Sequence, residues 1–156
     1  MDAVTHAAIK GAGSLTTKTD GLTATDYEAL SNLRYTLRRF MDFSSSAAQQ
    51  EGLPTQQHQA LLAIKGHPAG EPMTIGMLAE RLLIAPHSAT ELVGRLVAAD
   101  YVSRRADEKD RRRQTIELTD KAEDVLMRLT AIHLTEIRDM APKLIDILKS
   151  LQTDKE

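Results

Sequence analysis

Between residues 74 and 119 the apolar pattern of this chain changes its period from 3.6 to 2, and that change limits the folds open to it. Ahead of the change lie two short helical stretches joined by a three-residue turn, Leu83-Ile84-Ala85. Thr74 is placed to cap the first, Ile75–Leu82, by accepting from a free N–H of its opening turn. Pro86 suits the first position of the second, because the N–H it lacks would be unpaired there anyway. That second helix carries Ala89, Leu92, Val93 and Leu96 along one stripe. It ends near Ala99-Asp100, where aspartate is one of the few non-glycine residues that tolerates a left-handed backbone. Beyond it, residues 101–105 and 114–118 read as short strands around a charged tip, Asp107-Glu108-Lys109-Asp110-Arg111.

The flanks are helical and aliphatic. Residues 1–22 are rich in Ala, Gly and Thr without periodicity and read as a loose arm. Thr25-Asp26-Tyr27-Glu28 fits a capping box, opening a helix that sets Leu30, Leu33, Leu37, Phe40 and Met41 on one face and ends near Ser44-Ser45-Ser46 or a few residues beyond. A second helix starts at Leu53-Pro54-Thr55 and stops at Gly66-His67-Pro68, inside a 66–72 stretch with two Gly and two Pro. After Thr119, the acids Asp120, Glu123 and Asp124 favour a helix start. Val125, Leu126, Leu129, Ile132, Ile137 and Met140 continue the stripe until Pro142 restarts or kinks the chain into a last helix with Leu144, Ile147, Leu148 and Leu151. The expected fold is mainly α with a small β-hairpin wing, in the order ααααββαα.

Charge narrows the function classes. The net charge is −2, yet residues 104–113, RRADEKDRRR, hold six basic residues against three acidic ones, leaving −5 on the rest. A basic patch on an acidic body can direct a polyanion to one surface. There is no cysteine, which excludes disulfides, thiol catalysis, zinc–thiolate sites and cysteine redox sensing. No apolar run approaches the roughly 20 residues that span a bilayer, and His6 and Lys10 interrupt the start, so a cytoplasmic location is expected with no membrane partner. None of His6, His58, His67, His87 and His133 has metal-site spacing, and Ser88 beside His87 lacks an orienting acid. No enzyme, cofactor or metal is expected.

Two short helices joined by a tight turn and followed at once by a charged hairpin are the ingredients of a winged helix-turn-helix. The alternative is a small α+β hairpin with a solvated tip, and periodicity alone leaves both standing. The residues say more. The stretch LAERLLIAPHSATELVGRLVAADYVSRRADEKDRRRQTIELTDKAEDVL, residues 78–126, resembles the core of the MarR family of regulators. The matching parts are Leu78-Ala79-Glu80-Arg81-Leu82, Leu92-Val93-x-Arg95-Leu96, and Asp110-x-Arg112 followed by Leu118-Thr119. Leu83, Asp100 and Ala122 stand where the family often has Gly.

The resemblance implies a homodimer bound to double-stranded DNA, with residues 23–53 and 120–156 as a helical dimerisation region and 54–119 as the winged helix-turn-helix lobe. It implies a transcription regulator, in first reading a repressor, released from a palindromic operator by a small molecule. The expected recognition-helix contacts are His87, Ser88, Thr90, Glu91 and Arg95, and the expected wing contacts are Arg104, Arg105, Lys109, Asp110, Arg111, Arg112 and Arg113. Asp110 would pin the hairpin while Arg112, or else Arg111, enters the minor groove. Glu91 either accepts from a cytosine amino group or faces solvent. Arg34, Tyr35, Arg38 and His133 are candidates for a pocket that takes a small anionic or aromatic effector. His133, on the apolar stripe, reads either as a satisfied interface histidine or as a ligand or proton sensor.

Overall fold

A computed structural model of the chain describes Thr19 and residues 21–152, so almost all of the expected N-terminal arm lies outside the described residues. The elements are α1 (Ala24–Gln50), α2 (Thr55–Lys65), β1 (Met73–Thr74), α3 (Ile75–Leu82), α4 (Pro86–Ala98), β2 (Val102–Ala106), β3 (Gln114–Leu118) and α5 (Asp120–Gln152).

The fold is the mainly helical winged arrangement expected, with three corrections. The α1 cap is Thr23 with Asp26, not Thr25 with Glu28: the Thr23 N–H and hydroxyl donate to Asp26 Oδ2 at 2.7 and 3.0 Å. Both pairs have the same spacing, and starting earlier adds backbone bonds to the helix. The two final helices are one, because Pro142 lies inside α5. A proline removes one backbone bond but already has helical φ, and the apolar stripe resumes on its far side. The hairpin is joined by a third strand, β1, giving an antiparallel sheet in the order β1-β3-β2 with Met73 opposite Ile116 and Arg104 opposite Ile116 on the other side. The element order is therefore ααβααββα.

One core binds these pieces. Leu61 of α2, Leu78 of α3, Leu92, Val93 and Leu96 of α4, Val102 of β2 and Ile116 of β3 are buried together with Ala122, Val125, Leu126 and Leu129 from the first turns of α5. The 3.6-residue stripe of α4 is thus the face that holds the helix to the lobe, leaving its opposite face free.

The long helices behave differently. α1 packs mainly on α5, and its buried residues are small or polar: Ala29, Thr36, Ser44, Ala47 and Ala48. Of the large residues expected to form its apolar face, Leu33 and Phe40 are half-buried whereas Leu30, Leu37 and Met41 are exposed. On α5 the stripe is buried as far as His133, apart from Ile132, and again at Ile147, whereas Ile137, Ile145, Leu148 and Leu151 are exposed. Small residues let the two helices approach closely, and the large ones are left facing outward from the single chain.

Candidate nucleic-acid interface

The interface is built from three local devices. The first is the α3–α4 turn. Thr74 Oγ1 accepts the Met77 N–H at 3.2 Å, fixing the start of α3 as expected. α3 ends on Leu83 in the left-handed conformation, φ 55°, and Ile84 N–H closes back on the Ala79 carbonyl at 3.0 Å. The left-handed region costs a non-glycine residue on the order of 1 kcal/mol. Leu83 is also 92% exposed, so its side chain regains nothing by burial. The sharp turn is what aims α4 across α3.

The second device is the end of α4. Asp100 is left-handed at φ 62°, as its residue type suggested. Thr119 Oγ1 donates to the Asp100 carbonyl at 2.6 Å and accepts the Ala122 N–H at 3.3 Å, so one hydroxyl both holds the end of α4 and caps α5. Lys121 Nζ donates to the Ala99 carbonyl at 2.7 Å and stands 4.4 Å from the centre of the Tyr101 ring. A cation at a helix C-terminus complements the dipole. Thr119 gives the Leu118-Thr119 pair its physical meaning. Sequence reasoning missed Lys121 here, because nothing local ties it to a helix that ends some twenty residues earlier.

The third device is the wing tip. Asp107 N–H donates to the Arg113 carbonyl at 2.9 Å, and Arg113 N–H donates to the Asp110 carbonyl at 2.9 Å. Asp107 Oδ1 accepts the Lys109 N–H at 3.0 Å. Asp110 Oδ1 accepts both the backbone N–H and Nε of Arg112, at 3.1 and 3.3 Å. The aspartates are therefore turn-formers that stiffen the tip, and Arg111, Arg112 and Arg113 stand exposed on it. Arg105 is paired with Glu117 at 3.1 Å. Arg104 reaches over α4, its Nη2 3.6 Å from where a Cβ on Gly94 would stand, so a wing arginine lies across the helix.

Of the expected helix contacts, His87, Thr90, Glu91 and Arg95 are exposed and Ser88 is half-buried, all on the face away from the core. Thr90 Oγ1 donates to the Pro86 carbonyl at 3.1 Å, leaving its oxygen lone pairs free. The face is nearly neutral, so positive charge is concentrated on the wing and its arginine over Gly94.

The expected effector residues do not converge. Tyr35 lines a cavity of about 260 Å³ between α1 and α5, together with Arg39, Phe40, Glu136 and Lys143. Arg34 and Arg38 are exposed and are not part of that lining, and His133 is buried elsewhere, against Ser44. Arg39, one residue further along α1 than Arg38, is the arginine on the cavity side.

Comparison with known proteins agrees with this geometry. Residues 51–113 match the model of the MarR family. The transcriptional activatory protein BadR of Rhodopseudomonas palustris is 34% identical over 73 residues, 47% of this chain and 42% of that protein, so the chain spans less than half the length of this curated relative. Among solved structures, AbsC, a MarR family transcriptional regulator from Streptomyces coelicolor, superposes with a TM-score of 0.68 at 20% identity, over 84% of this chain and 92% of that one. A mutant of Staphylococcus aureus MepR bound to an oligodeoxyribonucleotide gives 0.62 at 21% identity, over 81% and 98%. At such identities these structures establish the winged-helix fold. Among the described residues, no helix is long and apolar enough to cross a membrane.

Proposed function

Because residues 51–113 match the model of the MarR family, we propose that the chain is a homodimeric regulator of that family that grips a palindromic operator and is released by a small molecule. The family and fold are those of transcription regulators rather than enzymes. The observation that carries the reading is the rigid placement of an exposed, nearly neutral helix face beside a stiffened arginine tip. On this reading α4 enters the major groove, where His87, Ser88, Thr90, Glu91 and Arg95 meet base edges or flanking phosphates. Arg112 enters the minor groove, and Arg104, Arg105, Lys109, Arg111 and Arg113 meet phosphates.

The dimer is supported by the exposed leucines and isoleucines of α1 and α5, more apolar surface than a single soluble chain usually leaves open. Residues 23–53 and 120–156 would supply the dimerisation region and 54–119 the DNA-reading lobe. A two-fold dimer presents two recognition helices, so its operator is an imperfect palindrome with half-sites about 10 bp apart. Selection of duplexes from a random pool, followed by footprinting and sedimentation, tests this. Protection of a single half-site, or a folded monomer at micromolar concentration, would contradict it.

Repression is the proposed action. The relative BadR is named an activator. The two actions differ only in where the operator lies relative to the promoter, which a reporter fusion decides. Release is by binding: with no cysteine, the chain lacks the thiolate chemistry of peroxide sensing. The proposed site for an anionic or aromatic effector is the cavity between α1 and α5, lined by Arg39 and Lys143, by Tyr35 and Phe40, and by the carboxylates of Glu136 and Asp139. A tenfold loss of operator affinity needs about 1.4 kcal/mol of preference for the DNA-incompetent dimer. Millimolar peroxide is expected to leave operator anisotropy unchanged, and rapid release reversed by a thiol reductant would defeat this account.

A further inference from the structure

Where α1, α2 and α5 meet, two histidines lie against one another out of water. His58 of α2 is 3% exposed, and its ring centre is 4.9 Å from that of His133 on α5. Phe40 and Phe43 of α1 meet the His133 ring edge-on, at 6.0 and 5.6 Å. His133 Nδ1 is 2.6 Å from the Leu129 carbonyl oxygen, which can only accept, so that nitrogen carries the proton. In the neutral ring Nε2 then accepts the Ser44 hydroxyl at 2.7 Å. Both nitrogens of His133 are thus satisfied while it is uncharged.

His58 is not satisfied in this way. Its Nδ1 is buried without a hydrogen-bond partner. Burial, and after it the neighbouring His133, hold His58 below the ordinary histidine value of 6.5. Among the described residues, no carboxylate acts on it. α1 faces the pair with two phenylalanines and a serine, and α5 faces His58 with His133. The Glu51–Arg128 ion pair, which ties the end of α1 to α5, is not among the charges that act on it.

We infer that the His58–His133 pair is a proton-operated joint, at which proton uptake loosens α2 from α1 and α5 and so shifts the DNA-reading lobe out of its binding position. The regulatory part of this inference rests on the DNA-binding function proposed above. A charge placed on His58 has the His133 ring beside it and, among the described residues, no anion acting on it, and opening the α2 contact brings His58 to water. Below 6.5 the closed joint binds fewer protons than an opened one. The closed form is therefore fully favoured above that pH and loses ground as pH falls towards the depressed value. His87, exposed on α4, acts in the opposite sense, since its protonation adds a cation to the DNA-facing surface.

The test is operator anisotropy from about pH 7.5 to 5.5 at constant ionic strength, on the full-length wild type, His58→Leu and His87→Gln. Wild-type affinity is expected to fall by about fivefold or more on acidification, within the usual range of coupling. His58→Leu should bind as wild type at the upper pH and hold its affinity at the lower, while His87→Gln keeps the fall. No fall in the wild type, or an equal fall in His58→Leu, overturns the joint. A histidine ring-proton NMR titration of the wild-type protein decides the matter without DNA or a folded variant. His58 must titrate below 6.5, the ordinary histidine value, and a value at or above it overturns the joint. Failure to bind any duplex at the upper pH would instead defeat the DNA-binding reading, leaving the titration to judge the pair.

Discussion

Leu92→Ala is expected to lower the stability of the protein by about 2–5 kcal/mol, the range for truncating a leucine in a core that cannot collapse around the gap. Leu92 is 1% exposed on the inner face of α4, in the cluster with Leu61, Leu78, Val102 and Ile116. That cluster is what holds α4 in place, so the variant damages the recognition helix through its support and not through its contacts. Urea unfolding at one fixed protein concentration measures the change, since dimerisation would make stability concentration-dependent. Leu83→Ala provides the contrast. Leu83 is 92% exposed and left-handed, alanine shares its backbone penalty, and the change should stay within about 0.5 kcal/mol. A Leu92→Ala variant as stable as Leu83→Ala would mean that the lobe core is not packed as described.

Arg112→Ala is expected to weaken operator binding by about 1–3 kcal/mol, or roughly 5- to 150-fold, with the oligomeric state unchanged. Its side chain is 91% exposed, and its only partner among the described residues is the carboxylate of Asp110, two residues away on the same turn. An exposed ion pair of this kind contributes little to folding, so a loss of DNA affinity in this variant reports on DNA and not on the wing. Anisotropy across a salt series measures it, and the dependence on salt should lose about one phosphate equivalent if the arginine also displaces a counterion. Unchanged affinity would remove Arg112 from the interface, and Arg111→Ala would then show whether its neighbour takes the minor groove.

How much of this was legible in the sequence depended on the range of the interactions involved. Thr74, Pro86 and Asp100 mark the ends of α3 and α4 because caps, a first-turn proline and a left-handed aspartate act within four residues of themselves. The aspartates of the wing tip were legible for the same reason. β1 was not, because a two-residue strand exists only by pairing with Ile116 and Thr115 some forty positions on. Pro142 misled because a proline signals a break, whereas the apolar positions on either side keep α5 continuous. The face of α1 misled in another way: periodicity finds Leu30, Leu37 and Met41 on a common side but cannot say what covers it, and within one chain small residues cover the other side instead. In the effector region His133 stood out as a polar residue on an apolar stripe. His58 did not, since its ring acquires meaning only when α2 is laid against α5.

β3 lies in the middle of the sheet. On one side it carries the wing through β2, and on the other it pairs with Thr74, the residue that starts α3. Helix pair and hairpin are thus one hydrogen-bonded body, and the span from α4 to the wing tip is a fixed length of the molecule. When such a body meets a duplex, the misfit falls on the DNA, whose grooves must widen, narrow or bend to that length. The work of doing so differs from one base step to the next. On the proposed function the lobe acts as a gauge as well as a reader, favouring sequences by their pliancy at base pairs that no side chain touches.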